Sequence, residues 1–294
     1  MRRFDEITWF DFEHGIHHQF VDPLDELKLP EADFLFNPPP GGVPERFGLP
    51  LTFVQGYGMF PSLEERGFRM RYPKICVATW LVDAVARFGV PRRQLIHIPC
   101  GLRHEKYQLV SPIEGRPRQV AVCYNSHANK GLTFGLESLV AVKNRIPELR
   151  AVVFGTELAH AIPSWMTYVE SPNQDVIVSE IYNGSRIFIN SSIFEGFGLP
   201  CVEAMACGCT LVTTANGGSQ DYAIHGETAL VSQPRDVDAM TNHIESLLVD
   251  DERRVRIARA GSQYVRRFDW DESATRLERF LERYEQDPCY YQES

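Results

Sequence analysis

Two carboxylates and a glycine-rich turn share one short stretch, Ser191 to Gly208, which reads S-S-I-F-E-G-F-G-L-P-C-V-E-A-M-A-C-G. Glu195 stands in the turn and Glu203 on the helix that should follow it. The apolar run Ile187-Phe188-Ile189 ahead of the turn reads as a short buried strand. Pro200 suits a first helical turn, where its missing N–H costs nothing. The N–H groups of Phe197, Gly198 and Leu199 then lie free at a helix N-terminus, where orphan donors and the helix dipole both favour an anion. A phosphate cradle flanked by two carboxylates matches the layout of a nucleotide sugar: hydroxyls, diphosphate, hydroxyls. Taken singly, Glu203 is a helix-start acid matched to the dipole and Glu195 an ordinary loop carboxylate. Their shared setting among the glycines favours a site.

The elements around this stretch alternate. Gln119 to Tyr124 reads as a strand, Leu132 to Ile146 as a helix with Leu132, Leu136, Leu139, Val140 and Ile146 near helical spacing, and Leu149 to Phe154 as a strand ended by Gly155. Asp175 to Asn183 reads as a short helix, Thr210 to Thr214 as a strand, and Val237 to Leu248 as an amphipathic helix capped by Asp236. Strands alternating with helices imply a parallel sheet covered on both faces, with ligands at the carboxyl ends of its strands. Ala128 to Gly131, Gly155-Thr156, Glu195 to Leu199 and Asn216 to Gly218 each follow a strand and should line one crevice. Lys130 is the cation of that crevice, a point charge that tolerates many geometries. The N-terminal half is less regular. Asp33 to Phe36, Leu51 to Val54, Ile75 to Ala78 and Leu95 to Ile98 read as short strands, Pro38 to Gly42 as a loop, and Ser111 to Pro117 as a linker.

The bulk properties narrow the function. A chain of 294 residues favours two domains, and 44% hydrophobic with 23% charged residues is ordinary for a soluble protein. A formal net charge of −9 argues against nucleic acid as a partner. Arg253 to Arg267 is the basic stretch, read first as a solvated helix face and second as a lipid or anionic-acceptor dock. Seven cysteines without a C-x-x-C pair fit free thiols in a reducing compartment. No run approaches a membrane span and no signal-like core opens the chain, so the expected location is cytoplasmic, with any membrane contact peripheral to the inner face. His14, His17 and His18 cluster without a fourth ligand. The triplets Asp236-Val237-Asp238 and Asp269-Trp270-Asp271 sit where helices should begin and read as caps, so no metal is expected.

The pattern E-G-F-G-L-P-x-x-E-A-M-A-C-G from Glu195 to Gly208 resembles the signature of the retaining, GT-B-fold glycosyltransferases of family 4, also called group 1. The resemblance implies an α/β protein of GT-B type, with two Rossmann-like parallel-sheet domains facing a cleft. Its expected divisions are 1–110, an acceptor-side domain; 111–275, a nucleotide-sugar domain; and 276–294, a helix packing back on the first domain. Nothing before Asp33 matches the family's opening strand and glycine-rich loop, so the first domain is expected to be incomplete. The resemblance implies retaining transfer from a nucleotide-diphosphate sugar to a glycan, lipid or small-molecule acceptor, by a front-face mechanism in which the leaving phosphate takes the acceptor proton. No cofactor or required metal is implied. Glu195 would face the sugar, Lys130 the diphosphate, and Glu203 the ribose. Gly196, Phe197, Gly198 and Leu199 would supply the backbone cradle, with Asn125, Gly155 and Thr156 beside the donor. Asn125 stands where relatives commonly have arginine. Gln55 stands where many have a histidine that contacts the donor sugar; an amide can hydrogen-bond there but cannot act as a base. Asp221 stands where relatives often have Glu, or else caps the segment near Gln220. The alternative is a non-catalytic nucleotide-sugar-binding protein or partner subunit. A glycogen-phosphorylase-like enzyme would need a pyridoxal phosphate lysine in a matching motif, which is not found. The nucleotide base, the sugar and the oligomeric state stay open.

Overall fold

The computed structural model describes residues 33–38, 48–58, 61–156 and 162–292. The histidines at 14, 17 and 18 and the stretch 39–42 lie outside the described residues. Two parallel sheets divide the chain. The first is built from β1 (Phe34–Phe36), β2 (Leu49–Val54), β3 (Lys74–Cys76) and β4 (Leu95–His97), side by side in that order. Helices α1 (Pro61–Phe68) and α2 (Thr79–Ala86) lie between its strands. The four strands coincide with the short apolar runs of the sequence. The two eight-residue helices between them carry no pattern long enough to register.

The second sheet has the order β10-β9-β8-β5-β6-β7. Its strands are β5 (Gln119–Cys123), β6 (Arg150–Gly155), β7 (Thr167–Glu170), β8 (Ile187–Asn190), β9 (Thr210–Thr214) and β10 (Ala229–Ser232). All neighbours are parallel. Every residue of β9 and the centre of β5 are buried, as expected of strands covered on both faces. Around them run α3 (Leu132–Arg145), α4 (Gln174–Val176, continuing as a π-helical segment Ile177–Tyr182), α5 (Leu199–Ala206), α6 (Val237–Val249) and α7 (Asp251–Tyr264). The edge strands β7 and β10 are four residues each and escape a periodicity reading. On and just after α3, Leu139 and Ile146 are buried and Leu132 and Leu136 pack against the same core, as their spacing predicts. Gly135, Ser138, Leu139 and Val142 turn inward, whereas Val140 is exposed. The cause is close packing: a Cβ on Gly135 would meet the Ser191 side chain, so small residues must face the sheet there.

The chain crosses between the sheets twice, at adjacent points. Leu102 pairs with Asp269 in a parallel bridge: Leu102 N–H donates to Phe268 O at 2.9 Å and Trp270 N–H to Leu102 O at 3.2 Å. A side chain on Gly101 would collide with the Trp270 backbone. After this return, α8 (Trp270–Gln286) and α9 (Pro288–Gln292) cover the first sheet. Phe280, Tyr284 and Tyr291 pack with Leu51, Ile75 and Ile98. The segment from Ser111 to Pro117 is fastened to the second sheet's layer. Arg116 is buried and donates to the carbonyls of Tyr182, Ser185, Ser111 and Cys207 and to Asn183 Oδ1.

The basic stretch is also not uniformly solvated. Arg254 is fully buried, donating to Ile113 O at 3.1 Å, Glu114 O at 3.4 Å and Asp251 Oδ1 at 2.9 Å. It belongs to the fastening of the 111–117 segment, because a buried guanidinium must find acceptors. No helix among the described residues is long and apolar enough to cross a membrane.

Candidate functional site

Strands β5 and β8 are neighbours from which the chain winds outward in opposite directions, so strand order reverses between them. Ligands of open α/β sheets bind in the crevice outside the carboxyl ends at such a reversal. The loop after β5 carries Lys130 at the end of a 3₁₀ turn, Ala128–Lys130, and Gly131 follows at φ +56°. The loop after β8 carries Glu195. The two side chains meet: Lys130 Nζ donates to Glu195 Oε1 at 2.9 Å and Oε2 at 3.0 Å. Glu195 also accepts from Ser192 Oγ at 2.7 Å, and Asn190 Nδ2 lies 3.5 Å away. The carboxylate is 10% exposed and the lysine 33%, so the pair is sheltered yet open on the lysine side. The Glu195 backbone is fixed as well, its N–H donating to Asn216 O at 2.9 Å and its carbonyl accepting from Gly218 N–H at 3.2 Å.

Helix α5 starts directly behind this pair. Gly198 has φ +96°, a left-handed geometry that favours glycine, and Pro200 stands in the first turn. The Tyr222 hydroxyl donates to Phe197 O at 2.9 Å and fills the space a side chain on Gly198 would need. Phe197 is buried edge-on against Tyr222 and Phe268. The turn is thereby locked with its N–H groups ahead of any intrahelical acceptor, at the positive end of the α5 dipole.

Glu203 is not the exposed helix-start acid of the simplest reading. It is half-buried on α5, and its Oε2 accepts from the Tyr182 hydroxyl at 3.0 Å. The Tyr107 hydroxyl accepts from Gln174 Nε2 at 2.7 Å. Burial raises the Glu203 pKa above the ordinary carboxylate range, and the two phenols oppose the rise.

The first sheet reaches the same crevice. Gln55 presents its backbone: a side chain on Gly196 would collide with Gln55 O, while the Gln55 side chain is exposed. Trp80, at the start of α2, donates from Nε1 to Gly196 O at 2.8 Å and lays its ring against Gly217. Asp221 does not cap the segment near Gln220. Its carboxylate, 5% exposed, accepts from Thr79 N–H at 3.0 Å and from Thr79 Oγ1, capping α2 of the other layer; His97 Nε2 is 3.9 Å away. Burial lowers the His97 pKa, with Asp221 opposing and Arg276 adding to the fall.

Not every candidate side chain is free for a ligand. Asn125 Oδ1 accepts from His127 N–H at 2.9 Å, a local turn contact. Gly155 ends β6 so close to Tyr124 O that a Cβ would lie 2.8 Å from it, and Thr156 is exposed beside it. Asp236 and Asp269 accept from the N–H groups of Ala239 and Glu272, which makes them N-caps of α6 and α8. Among the described residues, no group of three or more His, Cys, Asp or Glu could hold a metal ion. Trp80, Thr79, Tyr107 and Tyr182 are absent from the residues legible in the sequence. The S-S-I-F-E spacing could have pointed to Ser192; nothing local marks Trp80 or Tyr107.

The family model described as "Glycosyl transferases group 1" matches residues 105–264, just over half of the chain. The chain belongs to the group 1 glycosyl transferases. Residues of the second sheet and its loops account for most of that match. O-antigen chain mannosyltransferase B of Escherichia coli is 36% identical over 112 residues, covering 38% of this chain and 28% of that protein. The chain thus matches this curated relative over little more than a quarter of its length. Among solved structures, sucrose-phosphate synthase of Thermosynechococcus elongatus superposes with a TM-score of 0.69 at 20% identity, over 80% of this chain and 68% of that one. Anabaena Alr3699/HepE in complex with UDP-glucose gives 0.69 at 15% identity, over 81% and 73%. These neighbours establish the GT-B fold of this group 1 chain.

Proposed function

We propose that this protein is a retaining family 4 glycosyltransferase that moves a sugar from a nucleotide-diphosphate sugar to a glycan, lipid or small-molecule acceptor without a required metal. The observation that carries the reading is the meeting of Lys130 and Glu195 at the strand-order reversal, in front of the α5 cradle. In this reading the diphosphate lies on the N–H groups of Phe197, Gly198 and Leu199 and takes the Lys130 ammonium, while Glu195 contacts the sugar and Glu203 the ribose. Fixed donors and a cation stabilise the leaving diphosphate where charge develops. The bond from C1 to the phosphate oxygen breaks, and the acceptor oxygen bonds C1 from the same face. Its proton passes to the leaving phosphate oxygen, so no side-chain base is needed, consistent with an amide at Gln55. Gly155 and Thr156 would border the nucleoside. The protein would act in the cytoplasm, with any membrane contact peripheral.

The occupied Asn125 side chain and the exposed Gln55 favour a second reading, a nucleotide-sugar-binding subunit without turnover. Titration calorimetry with UDP, GDP and ADP and their sugar conjugates, with and without EDTA, tests the donor site. Saturable, EDTA-insensitive binding of one nucleotide supports the proposal; no binding to folded protein overturns it. Release of nucleoside diphosphate from the bound conjugate separates the enzyme from the binding subunit.

A further inference from the structure

A second recess lies between the edge strand β4 and helix α8. It is a groove of about 610 Å³, walled by His97 and Ile98 on one side and by Arg276, Arg279, Phe280 and Arg283 on the other. None of the residues placed around Lys130 and Glu195 lines it. At 3.6 residues per turn, the three arginines fall on one flank of α8, beside the buried Phe280 and Tyr284, while Glu278 and Glu285 fall on the other. The row extends about 10 Å along the helix axis. Arg276 Nε donates to Glu272 Oε1 at 2.9 Å and Arg283 Nε to Arg279 O at 3.0 Å, so each guanidinium keeps its terminal N–H groups to offer. Among the described residues, neither Arg279 nor Arg283 forms an ion pair, and Glu282 is the only acid that lines the groove. The groove beside α7 differs: it mixes Arg256 and Arg259 with Glu114, Asp251 and Glu252, and Arg259 pairs with Glu114.

Like charges three and four residues apart weaken a helix, and α8 carries two such pairs, Arg276–Arg279 and Arg279–Arg283. The chain as a whole has a net charge of −9, so the row is no by-product of a basic surface. An anion lodged among the three cations turns their repulsion into attraction. The planar guanidinium fork matches phosphate oxygens in shape as well as charge. We propose that this groove binds a soluble oligophosphate, an anion of two or three linked phosphate groups, at a place separate from the donor diphosphate. A recess suits a discrete ligand better than a bilayer surface, which cannot follow it inward to His97. The proposal stands on the groove itself and does not depend on the nucleotide-sugar reading. At one end of the groove His97 Nε2 lies 3.9 Å from Asp221 Oδ2, so the ligand would sit beside the contact by which Asp221 caps α2.

The test is calorimetry of tripolyphosphate, pyrophosphate and orthophosphate at low salt against the whole chain carrying Lys130→Ala, which weakens any hold of the crevice on phosphate. Expected is one saturable site that prefers tripolyphosphate to orthophosphate by about tenfold and weakens as salt is added. Adding Arg279→Gln and Arg283→Gln should weaken tripolyphosphate by about tenfold or more. Adding Arg253→Gln and Arg256→Gln, which removes the same charge from α7, should change it by less than about twofold. Arg279→Lys with Arg283→Lys retains the charges without the forks and should fall between the two. Absence of saturable binding overturns the proposal, as does an affinity that the Arg279→Gln and Arg283→Gln changes leave intact. Equal losses in the α7 and α8 variants also overturn it, because they mark diffuse attraction to positive charge. Cosedimentation with phosphatidylcholine vesicles containing phosphatidic acid, lost in the α8 variant and unaccompanied by tripolyphosphate binding, assigns the row to a membrane and overturns the soluble ligand. Failure of nucleotide binding with tripolyphosphate binding intact overturns the donor reading and supports this one.

Discussion

Lys130 and Glu195 neutralise one another at 2.9 Å, so each sets the condition in which the other works. Lys130→Ala should weaken binding of a nucleoside diphosphate by about tenfold or more and of the bare nucleoside by less than twofold, read by calorimetry. Equal losses would remove Lys130 from the phosphate subsite. Glu195→Gln retains the size of the side chain and an oxygen for Ser192. Donor affinity should stay within about threefold of the wild type while turnover falls about a hundredfold or more. Glu203→Ala differs from what a surface acid would give. It strands the Tyr182 hydroxyl, 1% exposed, and should cost about 1–3 kcal/mol of stability in a denaturant titration. The acidic pair was legible in the sequence because its members share one motif with the glycines. Lys130 was legible beside them from its place after a strand, whereas the Trp80–Gly196 contact was not, because its two members are 116 residues apart. Chain folding brings such residues together and local spacing carries no trace of it.

At the scale of elements, the N-terminal turn of α2 is the first layer's hold on the crevice. Thr79 gives its N–H and hydroxyl to Asp221, and Trp80 gives its indole N–H to Gly196. Asp221 and Gly196 sit on the two loops whose backbones fix Glu195. The turn thus braces the backbone on which the Glu195 carboxylate stands. Trp80→Phe keeps an aromatic ring against Gly217 but removes the donor. It should cost about 1 kcal/mol of stability and lower turnover about tenfold, with donor affinity unchanged. A loss confined to donor affinity would contradict this role. The βα alternation of the second sheet was readable because its strands are continuous apolar runs. Helix α2 was not, since eight mostly apolar residues resemble a buried strand. On α3 the apolar spacing found Leu139 and Ile146 but not Gly135 and Ser138, which also face inward and which a hydrophobic pattern ignores.

For the whole molecule, buried thiols dominate the alkaline behaviour. Burial pushes Cys76, Cys123 and Cys209 up to about 12 and Cys100 to about 11. An unfolded thiol titrates near ~8.5, so between there and the folded values the native state binds more protons. That stabilisation is complete below about pH 8.5 and is lost as pH rises toward the folded values. Lys74, buried with its ammonium on Met70 O and Tyr72 O, is lowered to about 7 and works the other way between about pH 7 and 10. Urea midpoints should therefore fall above about pH 9, and Lys74→Met should steepen the fall by removing the opposing contribution. A flat profile to pH 10.5 would sink the account.

The twin crossings at Leu102 and Asp269–Trp270 bear on how the molecule tolerates cutting. A protease nick in the Arg103–Lys106 stretch severs the covalent route from β4 to the second sheet, but α8 and α9, reached through Phe268, still pack on the first sheet. The nicked product should run as two fragments in denaturing gels and as one particle in solution. Because Arg116 and Arg254 keep the 111–117 segment seated on the second layer, the new ends would stay close. The same geometry would let the chain be expressed as two genetically separate pieces that reassemble on the shared face of α8.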